Sequence, residues 1–94
     1  MLFVFNDTRP RKFWMKNCKF PINLLFLNKD FRIIAKHYMV PEKGPNYRRY
    51  ESISPAKYAI EFLGDEDFLN MLEIYDLVHV FNMRDADYML PPVH

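Results

Sequence analysis

The chain has 94 residues, 50% hydrophobic and 27% charged, with a formal net charge of +1. That length holds one small domain, and the composition argues against intrinsic disorder and against the basic balance of a general nucleic-acid binder. No apolar run approaches the ~20 residues of a membrane helix, and the single cysteine, Cys18, excludes an intrachain disulfide or a cysteine-built zinc cluster.

In chain order, Leu2-Phe3-Val4-Phe5 reads as an uncharged strand that ends in a turn at Asn6-Asp7. Residues 12–16 are apolar enough for a second strand. Pro21 opens a third over residues 22–27, whose near-continuous apolarity predicts cover on both faces. The polar break Asn28-Lys29-Asp30-Phe31 joins it to residues 32–39 as a β-hairpin. Residues 40–55, with Pro41, Gly44, Pro45 and Pro55, form a long loop. Tyr58, Ile60 and Phe62 then alternate with Lys57, Ala59 and Glu61, the two-residue period of a half-buried strand. Asp65, Glu66 and Asp67 precede apolar residues at helical spacing, which predicts one short helix near residues 65–73, with acids suiting its first turn. Residues 77–81 close the fold as a sixth strand. The expected architecture is therefore mainly β: a small sandwich or partly open barrel of about six strands, one domain over residues 1–84 and an extended tail over 85–94.

Charge is polarised along the chain. Residues 1–50 hold eleven Lys or Arg against Asp7, Asp30 and Glu42, whereas residues 51–94 hold Lys57 and Arg84 against nine acids. Ion pairs between the halves, across one fold, are the simplest expectation; a dipolar molecule that stacks on itself or on a charged partner is the other. Lys12, Lys16, Lys19 and Pro21 would keep one sheet edge solvated, while the bare segment 2–5 is expected to be tucked into the sheet or paired with another subunit.

Phe13-Trp14-Met15-Lys16-Asn17, followed by Pro21-Ile22 and Leu24-Leu25-Phe26-Leu27, resembles domain-of-unknown-function family 192, small proteins and domains of bacteria, archaea and phages. Asp30, Arg32-Ile33-Ile34-Ala35, Tyr50-Glu51-Ser52, Pro55-Ala56-Lys57-Tyr58, Glu61, Gly64 and Asp76-Leu77-Val78 continue the likeness in the same order. The resemblance implies a compact mainly-β domain and no particular activity. Two positions depart from the family pattern: Asn23 stands where an aspartate is usual, and Tyr75 where a glycine commonly precedes Asp76. The family's common amino-terminal segment and export signal are not seen, so the expected location is cytoplasmic, in a host cell or a virion.

Three groups of residues are candidates for function. Trp14, Lys16 and Asn17 on one segment, with Tyr50, Ser52 and Glu61 on another, would line a polar pocket with an aromatic wall if the segments adjoin. The plainer alternative makes Trp14 core, Asn17 a turn former and Glu61 the partner of Lys16. Basic residues interleaved with rings, from Arg9 to Phe20 and at Tyr47-Arg48-Arg49-Tyr50, suit single-stranded nucleic acid. Leu2, Phe3, Val4 and Phe5, with Arg48, Arg49, Tyr88, Pro91 and Pro92, are candidates for contact with another protein or another copy of the chain. Enzyme signals are thin. Cys18 with His37 or His79 has no local signature of a nucleophile and base, Asp85 and Asp87 are too few for a calcium site, and no HExxH, P-loop or GxSxG occurs. No catalytic residue, cofactor or metal is assigned, and the favoured expectation is a non-enzymatic binding or assembly module.

Overall fold

The computed structural model describes residues 1–79. Six strands, β1 (Leu2–Arg9), β2 (Lys12–Phe13), β3 (Ile22–Leu27), β4 (Ile33–Met39), β5 (Tyr50–Glu51) and β6 (Ala56–Phe62), are followed by one helix, α1 (Glu66–Asn70). They form a four-stranded antiparallel sheet in the order β1-β6-β3-β4 and a two-stranded antiparallel ribbon, β2-β5. The protein is mainly β, with two packed layers and no closed barrel.

The two-residue strand period sends alternate side chains to opposite faces of the main sheet. Phe3, Phe5, Leu24, Phe26, Met39 and Ala59 meet the ribbon's Phe13 and Tyr50 on one face. Leu25, Leu27, Ile33, Tyr58, Ile60 and Phe62 meet Leu69 of α1 on the other. β3 is central and covered on both sides, as its apolar run predicts. Phe13 is the hub of the first layer. Its ring stands edge-on to Phe3 at 5.3 Å, Phe26 at 5.4 Å and Phe5 at 6.5 Å, the arrangement aromatic quadrupoles prefer.

The hairpin between β3 and β4 closes as expected. Asn28 Oδ1 accepts from the backbone N–H of Asp30 at 2.9 Å and of Arg32 at 3.0 Å. Phe31 takes a positive φ of 62° and stacks on Tyr58, ring centroids 4.2 Å apart. α1 is short, so its ends depend on side chains: Asp65 accepts from Phe68 N–H at the start, and Lys36 Nζ donates to the carbonyls of Leu69 and Leu72 at the other end.

Several expectations are corrected. The second strand stops at Phe13, because Asn17 adopts a left-handed turn (φ 64°) and Cys18 N–H bonds back to Met15 O at 3.1 Å. The long loop contains a strand after all: β5 pairs Tyr50 with Phe13 and Glu51 with Lys12. β6 is half-buried, but its sides are exchanged: Ala59 and Glu61, on the side the alternation leaves to solvent, are buried, and Tyr58, Ile60 and Phe62 are partly exposed. Of the sixth expected strand the structure describes residues 77–79, which hold one bridge, Leu77 with Arg32; Val80 and Phe81 lie outside the described residues, as do Tyr88, Pro91 and Pro92.

The edges and charges also differ from expectation. The main sheet ends at β1 and β4, so Lys12, Lys16, Lys19 and Pro21 guard neither edge. The charged halves are not laced together: among the described residues Lys12–Glu51, at 3.5 Å, is the one ion pair between them, while Arg9 and Arg11 both pair with Asp7. Those two guanidiniums, through hydrogen bonds first and charge second, hold the Asp7 carboxyl down at about 2.

Tyr75 has a φ of 71°, which accounts for a glycine in the family pattern: a β-carbon in the left-handed region costs about 1–2 kcal/mol. Its ring is 68% exposed, so little packing offsets that strain. Tyr75→Gly is therefore expected to raise stability by up to about 1 kcal/mol in urea unfolding, after the extra chain entropy of glycine is subtracted. Phe13→Ala empties the centre of the ring cluster, and by the scale of buried Phe deletions it should cost about 3–5 kcal/mol in the same measurement.

Candidate functional site

The ribbon that buries Phe13 and Met15 necessarily turns the residue between them outward. Trp14 is half-buried and belongs to neither core layer. Its ring is instead the centre of a surface cluster built from two loops, residues 14–20 and 40–50. The Arg49 guanidinium carbon lies 4.1 Å from the indole centroid, and Lys16 Nζ lies 5.3 Å from it. Tyr47 meets the indole edge-on at 5.6 Å. Beside them Arg48 covers the Tyr50 ring at 4.9 Å.

Each part is held from below. Tyr50 is buried, its ring packs against His37, and its hydroxyl accepts from Val40 N–H at 3.3 Å. Arg49 Nη1 donates to the Tyr47 carbonyl at 3.2 Å. Gly44 leaves room for Tyr47: a β-carbon there would fall 2.7 Å from the Tyr47 hydroxyl and 2.8 Å from the ring. Glu42 spends its carboxylate on the Arg48 backbone N–H, 3.3 Å from both oxygens. Among the described residues, Lys16, Arg48 and Arg49 have no carboxylate within ion-pair distance. Guanidiniums stacked on rings keep their in-plane N–H donors facing outward.

The six pocket candidates divide. Trp14 and Lys16 stand together at the surface cluster, and Tyr50 forms its floor. Asn17 holds the left-handed turn that ends the ribbon segment. Ser52 is buried and ties the ribbon shut, its Oγ accepting from Arg11 N–H at 2.8 Å and donating to Ser54 O at 2.7 Å. Glu61 lies on β6 opposite Leu24, where it lines a cavity of about 160 Å³ with Met1, Ile22, Phe62 and Leu63. Tyr47 joins the cluster from the ring-and-arginine run Tyr47-Arg48-Arg49-Tyr50 and not from the six pocket candidates.

A larger, apolar cavity of about 400 Å³ lies between the sheet and α1, lined chiefly by Leu25, Ile60, Phe62, Phe68, Leu72 and Val78. His37 Nε2 is 2.7 Å from the Glu51 carbonyl and its ring packs edge-on against Phe26. Burial, and then the Glu61 charge, raise the Cys18 thiol above its ordinary value. No group of three or more His, Cys, Asp or Glu able to hold a metal occurs among the described residues. No helix among them is long and apolar enough to cross a membrane.

Because the thiolate is the reactive form, Cys18 should alkylate with iodoacetamide more slowly than a free cysteine at neutral pH, its rate rising only at more alkaline pH. Urea unfolding should restore the ordinary rate.

Comparisons with known proteins agree with this architecture. No curated protein matches the chain. A crystal structure from Sinorhizobium meliloti 1021, named a "putative transcription regulator", superposes with a TM-score of 0.69 at 31% identity, over 82% of this chain and 58% of that one. This chain thus spans little more than half of that neighbour's length. The family model DUF192, described as Uncharacterized ACR, matches residues 1–74, from β1 through α1 to the turn before Tyr75. Together with the Phe13-to-Asn17 segment that places Trp14 at the surface, the match means that the chain belongs to this uncharacterised family.

Proposed function

We propose that this chain is a non-enzymatic binding and assembly module that associates by strand addition at β1. One observation carries the reading: the main sheet has two edges, and they are treated differently. The start of β4 is closed by residues 75–78, through Tyr75 N–H to Ile33 O at 2.7 Å, Ile33 N–H to Asp76 O at 3.0 Å and Val78 N–H to Phe31 O at 2.8 Å. Among the described residues, β1 has a strand partner only on its inner side.

The register says which groups are left over. Met1 and Glu61 exchange both backbone hydrogen bonds, so Phe3 with Ala59 is the next bonded pair. By antiparallel alternation Leu2 and Val4 then direct their N–H and C=O away from β6. Natural edges of this kind are usually blunted by charge, proline or a bulge; residues 2–5 carry neither charge nor proline, and the register of β1 against β6 is unbroken from Leu2 to Val4 and shifts only after it. Backbone pairing supplies affinity without catalytic residues, in keeping with a thiol held protonated and a histidine engaged with a carbonyl. A second copy is the simplest partner, since two β1 strands pair antiparallel about a two-fold axis. An accessory subunit of a larger assembly, a phage particle among them, is the role this supports.

Val4→Pro tests it. The substitution removes an outward N–H while sparing the ladder to β6, so the fold should survive. The native protein is expected to sediment as a species heavier than its 11.4 kDa chain, and Val4→Pro as the monomer with an unchanged circular dichroism spectrum. A native monomer at millimolar concentration, or association that Val4→Pro leaves intact, would overturn the reading.

A further inference from the structure

The Trp14 cluster carries a separate inference that does not depend on strand addition. We propose that it is a binding site for nucleoside phosphates, free or strung in a single-stranded nucleic acid, with the indole taking the base and Arg48, Arg49 and Lys16 taking phosphate.

The first support is local charge. A net charge of +1 conceals it, because the two loops that build the site hold Lys16, Lys19, Lys43, Arg48 and Arg49 against a single carboxylate, Glu42. That carboxylate faces the Arg48 backbone. Elsewhere on the described surface most cations are matched within the fold: Arg9 and Arg11 by Asp7, Lys12 by Glu51, and Lys36, Lys57 and Arg32 by carbonyls, with Lys29 on the β3–β4 turn as the exception. At the Trp14 site the cations rest on rings instead, which positions them without neutralising them.

The second support is preorganisation. Arg49 is fixed between the indole face and the Tyr47 carbonyl, and Arg48 over a buried ring. Little side-chain entropy remains to be lost on binding, and the free in-plane donors match two phosphate oxygens at once. The third is the ring itself. Lys16 stands off the indole at 5.3 Å, a contact that a planar base can displace while the ammonium moves to an adjacent phosphate. Rings for bases beside cations for the backbone are the two components of single-strand recognition. A purely anionic ligand would have no use for the indole, and a purely aromatic one none for the cations.

Trp14 is the only tryptophan, so its emission reports the site directly. Titration with a ten-nucleotide oligothymidylate at low salt is expected to quench it saturably, with affinity falling as salt is added. Joint Arg48→Ala and Arg49→Ala substitution should weaken binding at least tenfold and flatten the salt dependence, with the unfolding midpoint unchanged. Arg9→Ala, which removes one positive charge elsewhere, should change it less than twofold. Thymidine monophosphate and inorganic phosphate are the comparison arms. Equal affinity for monophosphate and oligonucleotide assigns the free nucleotide as ligand, and tighter oligonucleotide binding assigns the strand; either supports the proposal. No change in emission at millimolar ligand, phosphate alone binding as tightly as the oligonucleotide, or Arg9→Ala weakening binding as much as the Arg48 and Arg49 pair would overturn it. Loss of self-association in Val4→Pro leaves these outcomes unaffected, so the two proposals fail separately.

Discussion

The structure depends on one packing event, the docking of the Phe13 ring among Phe3, Phe5 and Phe26. Phe13 belongs to a strand of only two residues, which has too few hydrogen bonds to stand alone. The rings hold the β2-β5 ribbon on the sheet, and Ser52 and Arg11 tie its open end through their backbone and the Ser52 hydroxyl. Once Phe13 and Met15 are buried, the chain's two-residue alternation leaves Trp14 at the surface. The same ribbon brings Tyr50 under Arg48 and Tyr47 against the indole. One inward ring therefore determines what the outward ring meets.

The two layers divide the work. The face carrying α1 combines buried Leu and Ile side chains with partly buried rings and is closed by local devices: an Asp65 cap, the Lys36 ammonium on the Leu69 and Leu72 carbonyls, and the Phe31–Tyr58 stack. The face carrying the ribbon combines a ring core with loops of dense positive charge. Cys18, beside a carboxylate and partly buried, is kept in its thiol form by that surrounding. Among the described residues, what the molecule presents outward is the outer backbone edge of β1 and a group of ring-seated cations.

Asn23 illustrates how the family pattern and this chain part. The residue is completely buried, and neither amide atom has a hydrogen-bond partner in the structure. It sits against Gly64, where an added β-carbon would approach its amide nitrogen to 3.3 Å. An aspartate in the same place would bring a charge into that interior, at a much larger desolvation cost unless it were paired. The neutral amide is the less costly occupant of this site.

Much of the fold was legible from residue order because its signals are local. The apolar run at residues 22–27 marked a doubly covered strand, the polar break after it marked a hairpin, and three acids before helical spacing marked α1. The aromatic-Trp-Met-Lys-Asn segment marked the family. Features that depend on distant residues were not legible. β5 lies inside a loop-like stretch and is a strand only because Phe13 and Lys12 lie opposite it. Ala59 looks outward by alternation and is buried only because a second layer covers it. Charge totals could not say that Arg9 and Arg11 would pair within their own half, nor that Arg48 and Arg49 would rest on rings. Periodicity and turn chemistry act between neighbours and are written in the order of residues; which surface covers which, and which cation finds a ring instead of a carboxylate, is decided when the layers close.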